Sequence, residues 1–277
     1  MITVLTIDKQ IPKKWHKRVL SFIFGSNIKT QLIDKNGIQV VNIHLQQTTN
    51  KIPWRRISSY AGYGKEKLLC NQDIKVPNKY GLCKFYSKSF DYRLCENAAI
   101  IALKKANLNP QNVKISLYDP DCRHLDMAEQ LLPYCSNLKI ITNNEDLYIG
   151  EADRLMDEYG ASILVGRKVE WLYTSDVLIA PEKLSVPIRL KNNAVIFTAE
   201  KPDVFVKGVV YYTYGIKLPS EYNDICPKGL DPKSFLSYLY SECGTHQLGA
   251  IVPKFCRGFS KTSTIDEVAR YIGKMMT

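Results

Sequence analysis

Residues Leu138–Val165 read LKIITNNEDLYIGEADRLMDEYGASILV. An apolar run short enough for a buried strand leads through Asn143 and Asn144 into a segment of helical spacing, which stops at Gly160 before a second apolar run. Strand, helix, glycine stop and strand again is the pattern of a βαβ unit, in which a crossover helix joins two parallel strands. Just upstream, Lys114–Asp126 reads KISLYDPDCRHLD, a strand that enters a turn containing no glycine. The alternation extends along the chain. Strands are expected near Val113–Tyr118, Leu138–Thr142, Ser162–Val165, Asp176–Ala180, Ala194–Phe197 and Val209–Tyr212, and helices near Arg123–Tyr134 and Asp146–Tyr159. Continuous apolar strands alternating with helices predict a mostly parallel α/β sheet covered on both faces. Two further helices are expected, one capped by Asp231 with Pro232 in its first turn, the other opened by a Thr264/Glu267 capping box.

The amino-terminal part has a different rhythm. Ile2–Ile7 is β-rich, and Pro12 suits the first turn of a basic amphipathic helix. Trp15, Val19, Phe22 and Ile23 supply its apolar face, with Lys13, Lys14, Lys17 and Arg18 between them. Asn36-Gly37 between two β-branched runs predicts a hairpin. A helix ended by Gly62 and another over Phe90–Asn109, with Leu94, Ala98, Ile101 and Ala102 on one face, complete this part. The expected organisation is a smaller basic α+β domain over residues 1–110 and an α/β domain with carboxyl-terminal helices over 111–277.

The chain of 277 residues has 45% hydrophobic and 23% charged residues, a globular composition, and contains no 18-residue apolar stretch. The start has no basic leader, and the eight cysteines lack the dense spacing of a secreted scaffold, so a soluble, reduced, cytoplasmic setting is expected. The net charge of +11 is one-sided. Residues 1–110 hold 19 Lys/Arg against 6 Asp/Glu, and the remainder hold 19 against 21. Such a field attracts anions, so Lys13, Lys14, Lys17, Arg18, Arg55 and Arg56 are candidate contacts for nucleic acid or an acidic partner; the alternative is a surface that is merely solvated.

Asn143 at the strand end, the Ala152–Leu155 run, Gly160 and the later Ser175–Glu182 stretch SDVLIAPE resemble the Rossmann-type domains of the shikimate dehydrogenase and glutamyl-tRNA reductase families. The similarity covers roughly residues 113–200 and implies a nucleotide-binding α/β fold. The chain is otherwise similar to uncharacterised Rossmann-like proteins of Gram-positive bacteria, which implies no activity. It departs from the families at the turn that should hold a pyrophosphate. There the pattern G-x-G-x-x-G lets the backbone approach the phosphates, but this chain has Asp119-Pro120-Asp121-Cys122-Arg123-His124. Two carboxylates stand where a phosphate would lie, and Asn144 replaces the arginine that would clamp a 2′-phosphate, so NAD and NADP are both disfavoured.

Two readings of the turn follow. In one it is structural, with Asp121 capping the helix, Asp119 and Pro120 fixing the turn, and His124 at the surface. In the other it forms part of a small-molecule site at the carboxyl ends of the strands, made of Asp119, Asp121, Arg123, His124, Thr142, Asn143, Asn144, Gly166 and Arg167, which would read a ribose, base or amine. Other signals are weaker. Cys226, Cys243, His246 and Cys256 do not have zinc-knuckle spacing, so no metal is expected. The Ser59–Lys67 stretch SYAGYGKEK resembles a phosphate loop but reads better as a basic turn, and Val209–Gly215, VVYYTYG, reads as core packing. The expected function is a non-catalytic ligand-binding or regulatory module with a degenerate nucleotide site. The alternatives are an NAD(P)-dependent oxidoreductase with atypical cofactor binding and an adaptor that docks through the basic domain.

Overall fold

The computed structural model describes residues 1–9, 26–243, 252–259 and 261–276. The basic helix expected from Pro12, with Lys13, Lys14, Lys17 and Arg18, lies outside the described residues. The α-helices are α1 (Trp54–Ala61), α2 (Lys88–Ala106), α3 (Asp126–Leu131), α4 (Glu145–Tyr159), α5 (Pro232–Tyr238) and α6 (Ile265–Met276). None is long and apolar enough to cross a membrane.

The chain divides into two compact units, Met1–Ser87 with Lys217–His246, and Lys88–Ile216 with Gln247–Thr277. In the first unit, β1 (Ile2–Lys9), β2 (Asn27–Lys35), β3 (Ile38–Gln47) and β4 (Leu69–Cys70) form a sheet in the order β2-β3-β1-β4. The expected hairpin joins β2 to β3. Asn36 (φ 53) and Gly37 (φ 74) both have positive φ, the conformation that a tight two-residue turn demands and that these residue types tolerate. The sheet is two-faced because successive side chains alternate. Leu5, Ile28, Ile43 and Leu45 pack with Ile57 and Ala61 of α1 on one face, and the opposite face carries Thr6, Asn42 and His44. Helix α5 starts as expected: Asp231 accepts the Ser234 N–H at 3.2 Å, and Pro232 fills the first turn. Asp231→Ala is expected to reduce stability by about 1 kcal/mol, measured by urea unfolding, because it strips an N-cap acceptor.

The second unit is built on eight strands, β5 (Ile115–Tyr118), β6 (Asn137–Ile141), β7 (Ser162–Gly166), β8 (Val177–Ala180), β10 (Val195–Thr198), β12 (Val209–Gly215), β13 (Phe255–Gly258) and β14 (Thr262–Thr264). Two short strands, β9 (Ile188–Arg189) and β11 (Val206–Lys207), pair separately. The sheet order is β14-β13-β12-β10-β8-β5-β6-β7. The six strands expected from sequence are all parallel, and the last two add antiparallel. Taken in chain order, the parallel strands lie 3-2-1-4-5-6, the order of the doubly wound Rossmann-like sheet. The residues of the central strands β5, β8 and β10 are buried throughout, from Ile115 and Leu117 to Ile196 and Phe197, whereas the edge strand β7 leaves Leu164 exposed.

Helix α2 packs on β8, β10, β12 and α6. The division therefore falls after Ser87, not after residue 110, and residues 217–246 return to the first unit. The long helix read from sequence as closing the amino-terminal domain instead covers the large sheet. Helix α6 has the expected capping box: Thr264 N–H donates to Glu267 Oε2 at 2.8 Å, and Glu267 N–H donates to Thr264 Oγ1 at 3.2 Å. Tyr211 and Tyr214 of β12 are buried, and the Tyr214 hydroxyl lies 2.9 Å from the Thr198 carbonyl, so this aromatic run is core.

Candidate functional site

The strand order reverses between β5 and β8, which opens the crevice where ligands of such sheets bind. Backbone hydrogen bonds stitch the loops at this edge together. Asp119 N–H donates to the Ile141 carbonyl at 3.0 Å, Thr142 N–H to Gly166 at 3.0 Å, and Asn143 N–H to Pro120 at 3.1 Å. Residues 119–124, 142–144 and 166–167 thus gather at one edge. Their individual parts differ. Gly166 is small because a Cβ there would lie 2.6 Å from the Trp171 ring. Thr142 is buried; its hydroxyl sits 2.9 Å from Cys122 Sγ and accepts the Asn144 N–H at 3.2 Å. Arg167 is exposed and pairs with Glu145 at 3.2 Å.

The centre of the turn is Asp119, which is fully buried. Its Oδ1 accepts the Arg123 N–H at 3.1 Å, and its Oδ2 accepts the His124 N–H at 2.9 Å and the Tyr148 hydroxyl at 2.6 Å. This carboxylate, and not Asp121, caps the turn, because only Asp119 points inward beneath the N–H groups. Asp121 is half exposed and pairs with Arg123 at 3.1 Å. Burial, reinforced by the Asp119 charge, raises the Tyr148 phenol far above its ordinary range, so it stays a hydrogen-bond donor. The expected helix over 123–134 is shorter, with α3 over Asp126–Leu131 and a 3-10 turn through Pro133.

His124 is buried, contrary to the expectation of a surface residue. Its Nδ1 lies 2.5 Å from Glu96 Oε1, and its Nε2 meets no hydrogen-bond partner among the described residues. The other Glu96 oxygen is 3.0 Å from Arg93. Burial disfavours charge on the imidazole, but Glu96, aided by Asp119 and Glu182, outweighs it and holds the His124 pKa above its ordinary value. The Tyr92 ring stands edge-on to His124, with centroids 5.6 Å apart. Arg123 reaches across the switch point to Glu182 at 2.8 Å, just beyond β8. Burial and the charges of Glu182 and Glu200 push the Tyr92 phenol up, which marks this edge as rich in carboxylates.

The sequence reading missed Glu96, Tyr92, Tyr148 and Glu182. A signal existed for two of them. Tyr148 shares the inward stripe of α4 with Leu155, seven residues on, and Glu96 interrupts the apolar face of α2 among Cys95, Ala99 and Leu103. Of the basic candidates, Arg55 and Arg56 are exposed on α1, and Arg56 donates to the Ser26 carbonyl at 3.2 Å. No group of three or more His, Cys, Asp or Glu able to hold a metal occurs among the described residues.

No family model matches the chain, and no curated protein matches it. Solved structures that resemble it include L-tryptophan dehydrogenase from Nostoc punctiforme (8% identity, 99% of this chain and 79% of that one, TM-score 0.36). An archaeal alanine dehydrogenase dimer with bound NAD shares 10% identity over 69% of this chain and 66% of that one, at a TM-score of 0.30. The Thermococcus litoralis Δ1-pyrroline-2-carboxylate reductase, in complex with NADH and L-proline, shares 8% over 70% and 68%, also at 0.30. The similarity is one of fold class, which the strand order establishes independently.

Proposed function

We propose that the second unit is a non-catalytic binding module whose nucleotide site is closed by its own side chain. The observation that carries this reading is Asp119: its carboxylate already takes the two turn N–H groups that a pyrophosphate would need. A phosphate brought to the same donors would meet a buried negative charge rather than free N–H groups. The carboxylate-rich crevice beside it, with Asp121, Glu182 and Glu200 around Arg123 and Tyr92, favours a small amine- or hydroxyl-bearing ligand over a polyphosphate. A reduced, cytoplasmic setting belongs to the same reading. It is supported by Cys70, Cys95, Cys122, Cys135 and Cys256, which are buried free thiols; burial pushes Cys135 and Cys256 up to about 12.

The test is a thermal-shift and calorimetric screen of the full chain against NAD, NADP, S-adenosylmethionine, ATP, nucleosides and diamines. A ligand that binds only the folded state raises the melting temperature. The dinucleotides and ATP are expected to give no shift at about 1 mM, and a nucleoside or amine is expected to give one. Low-micromolar binding of NAD or NADP would overturn the proposal in favour of the oxidoreductase alternative.

A docking role for the first unit keeps one specific observation: by sequence its segments hold 18 Lys/Arg against 8 Asp/Glu, whereas the second unit holds 20 against 19.

A further inference from the structure

The polar face of the first unit's sheet has no role in the reading above, and it is roofed by a cavity of about 650 Å³. Cross-strand register builds its floor. Lys29 lies opposite His44 and His44 beside Thr6, while in the next row Gln31 lies opposite Asn42. The same face is apolar toward the start of β1, where Ile2, Val4 and Val40 are buried, and turns polar only at this end. Here Thr6 and Asn42 are buried although they are polar. The segment from Asn223 to Lys228 forms the wall, pinned by the Lys35–Asp224 ion pair at 3.2 Å.

The floor is chemically oriented. The Thr6 hydroxyl donates to Asn42 Oδ1 at 3.0 Å, which turns the Asn42 amide nitrogen away from this bond and leaves it without a partner among the described residues. Thr6 Oγ1 is also 3.1 Å from His44 Nδ1. Because the Thr6 proton goes to Asn42, Thr6 Oγ1 is left to accept from His44 Nδ1–H, and in that tautomer Nε2 is an acceptor. Two ammonium groups that line the cavity, Lys29 and Lys228, have no ion-pair partner among the described residues, and the single lining carboxylate, Asp224, is held by Lys35. The lining therefore offers two uncompensated positive charges, an oriented amide donor and one acceptor.

We infer that this cavity is a binding site for a small hydroxylated anion, a phosphate or carboxylate ester or acid of a polyol. Lys29, Lys228 and the Asn42 amide receive the anionic oxygens, and His44 Nε2 accepts from a ligand hydroxyl. A small anion fits better than a polyanionic strand, because these residues line a single cavity of about 650 Å³ rather than an extended row of cations.

The experiment titrates the full chain by calorimetry, at constant ionic strength, with inorganic phosphate, glycerol 3-phosphate, malate and a short DNA duplex. Glycerol 3-phosphate or malate is expected to bind more tightly than inorganic phosphate, because only they carry the hydroxyl. The double variant K29A/K228A is expected to weaken that binding about tenfold. These lysines are exposed, so folding should survive, and thermal unfolding checks that it has. The control K51A/K79A removes two exposed charges of the same unit that do not line the cavity and should leave affinity unchanged within about twofold. Equal weakening by both variants, no binding of any small probe, or a duplex that binds more tightly than every small probe would each overturn the inference.

Discussion

Replacing Asp119 by alanine is expected to lower the stability of the protein by about 3–5 kcal/mol, one of the two largest effects of any single change considered. The carboxylate is fully buried and serves three donors at once, the Arg123 and His124 N–H groups and the Tyr148 hydroxyl. Alanine removes every acceptor and leaves those donors in a place water does not reach, where each unmet donor costs about 1–3 kcal/mol. Asp119→Asn keeps one carbonyl oxygen and should lose roughly half as much. Urea unfolding followed by circular dichroism measures both. A loss below about 1 kcal/mol for the alanine variant would show that the turn does not depend on this group. Neither variant should gain dinucleotide binding, because the turn still lacks the glycines that let a backbone approach a pyrophosphate.

Glu96→Ala should destabilise on a similar scale, about 3–5 kcal/mol, because it strips a buried imidazole of its only hydrogen-bonded anion. The pH dependence is more diagnostic. The folded-state pKa of His124 is raised, so the folded protein holds this proton more tightly than the unfolded chain does. The stabilisation it gives is fully present below the unfolded value of about 6.5 and is lost as the pH rises through the higher folded value. Unfolding free energies measured from about pH 5.5 to 8.5 should therefore fall with pH in the wild type. That slope should be absent in Glu96→Gln, with the His124 ring proton signal titrating at lower pH than in the wild type. An unchanged titration in the Gln variant would separate His124 from Glu96.

The parallel sheet was legible in the sequence because its central strands are buried on both sides and so are written as short, mostly apolar runs, from ISLY to VIFT. The hairpin at Asn36-Gly37 and the Thr264/Glu267 capping box were legible for a related reason: each is a local solution to a backbone requirement. The division between units was not. Helix α2 announces an apolar face, yet nothing in its periodicity says which sheet that face will meet. The same limit hid the heart of the edge site. Glu96 lies 28 positions from His124, and Tyr148 lies 29 from Asp119, so their roles come from partners that tertiary structure supplies. Asp121 looked the better cap because it is nearer the helix, and the structure gives that task to the carboxylate that points inward.

The interleaving of the two units has a consequence for how the chain is made. Neither unit is encoded by one uninterrupted stretch, since residues 1–87 are completed by 217–246 and residues 88–216 by 247–277. At the usual pace of synthesis, about 5–20 residues per second, the ribosome needs roughly 6–26 s to pass from residue 88 to 216, and the amino-terminal segment waits that long for its remaining parts. During that wait the polar floor of its small sheet has no Asn223–Lys228 wall, and β4 has no α5 beside it. A gene cut after codon 110 or 216 would therefore not release an independent half; it would yield a nascent chain arrested at an unfinished stage, the kind of species that chaperones retain.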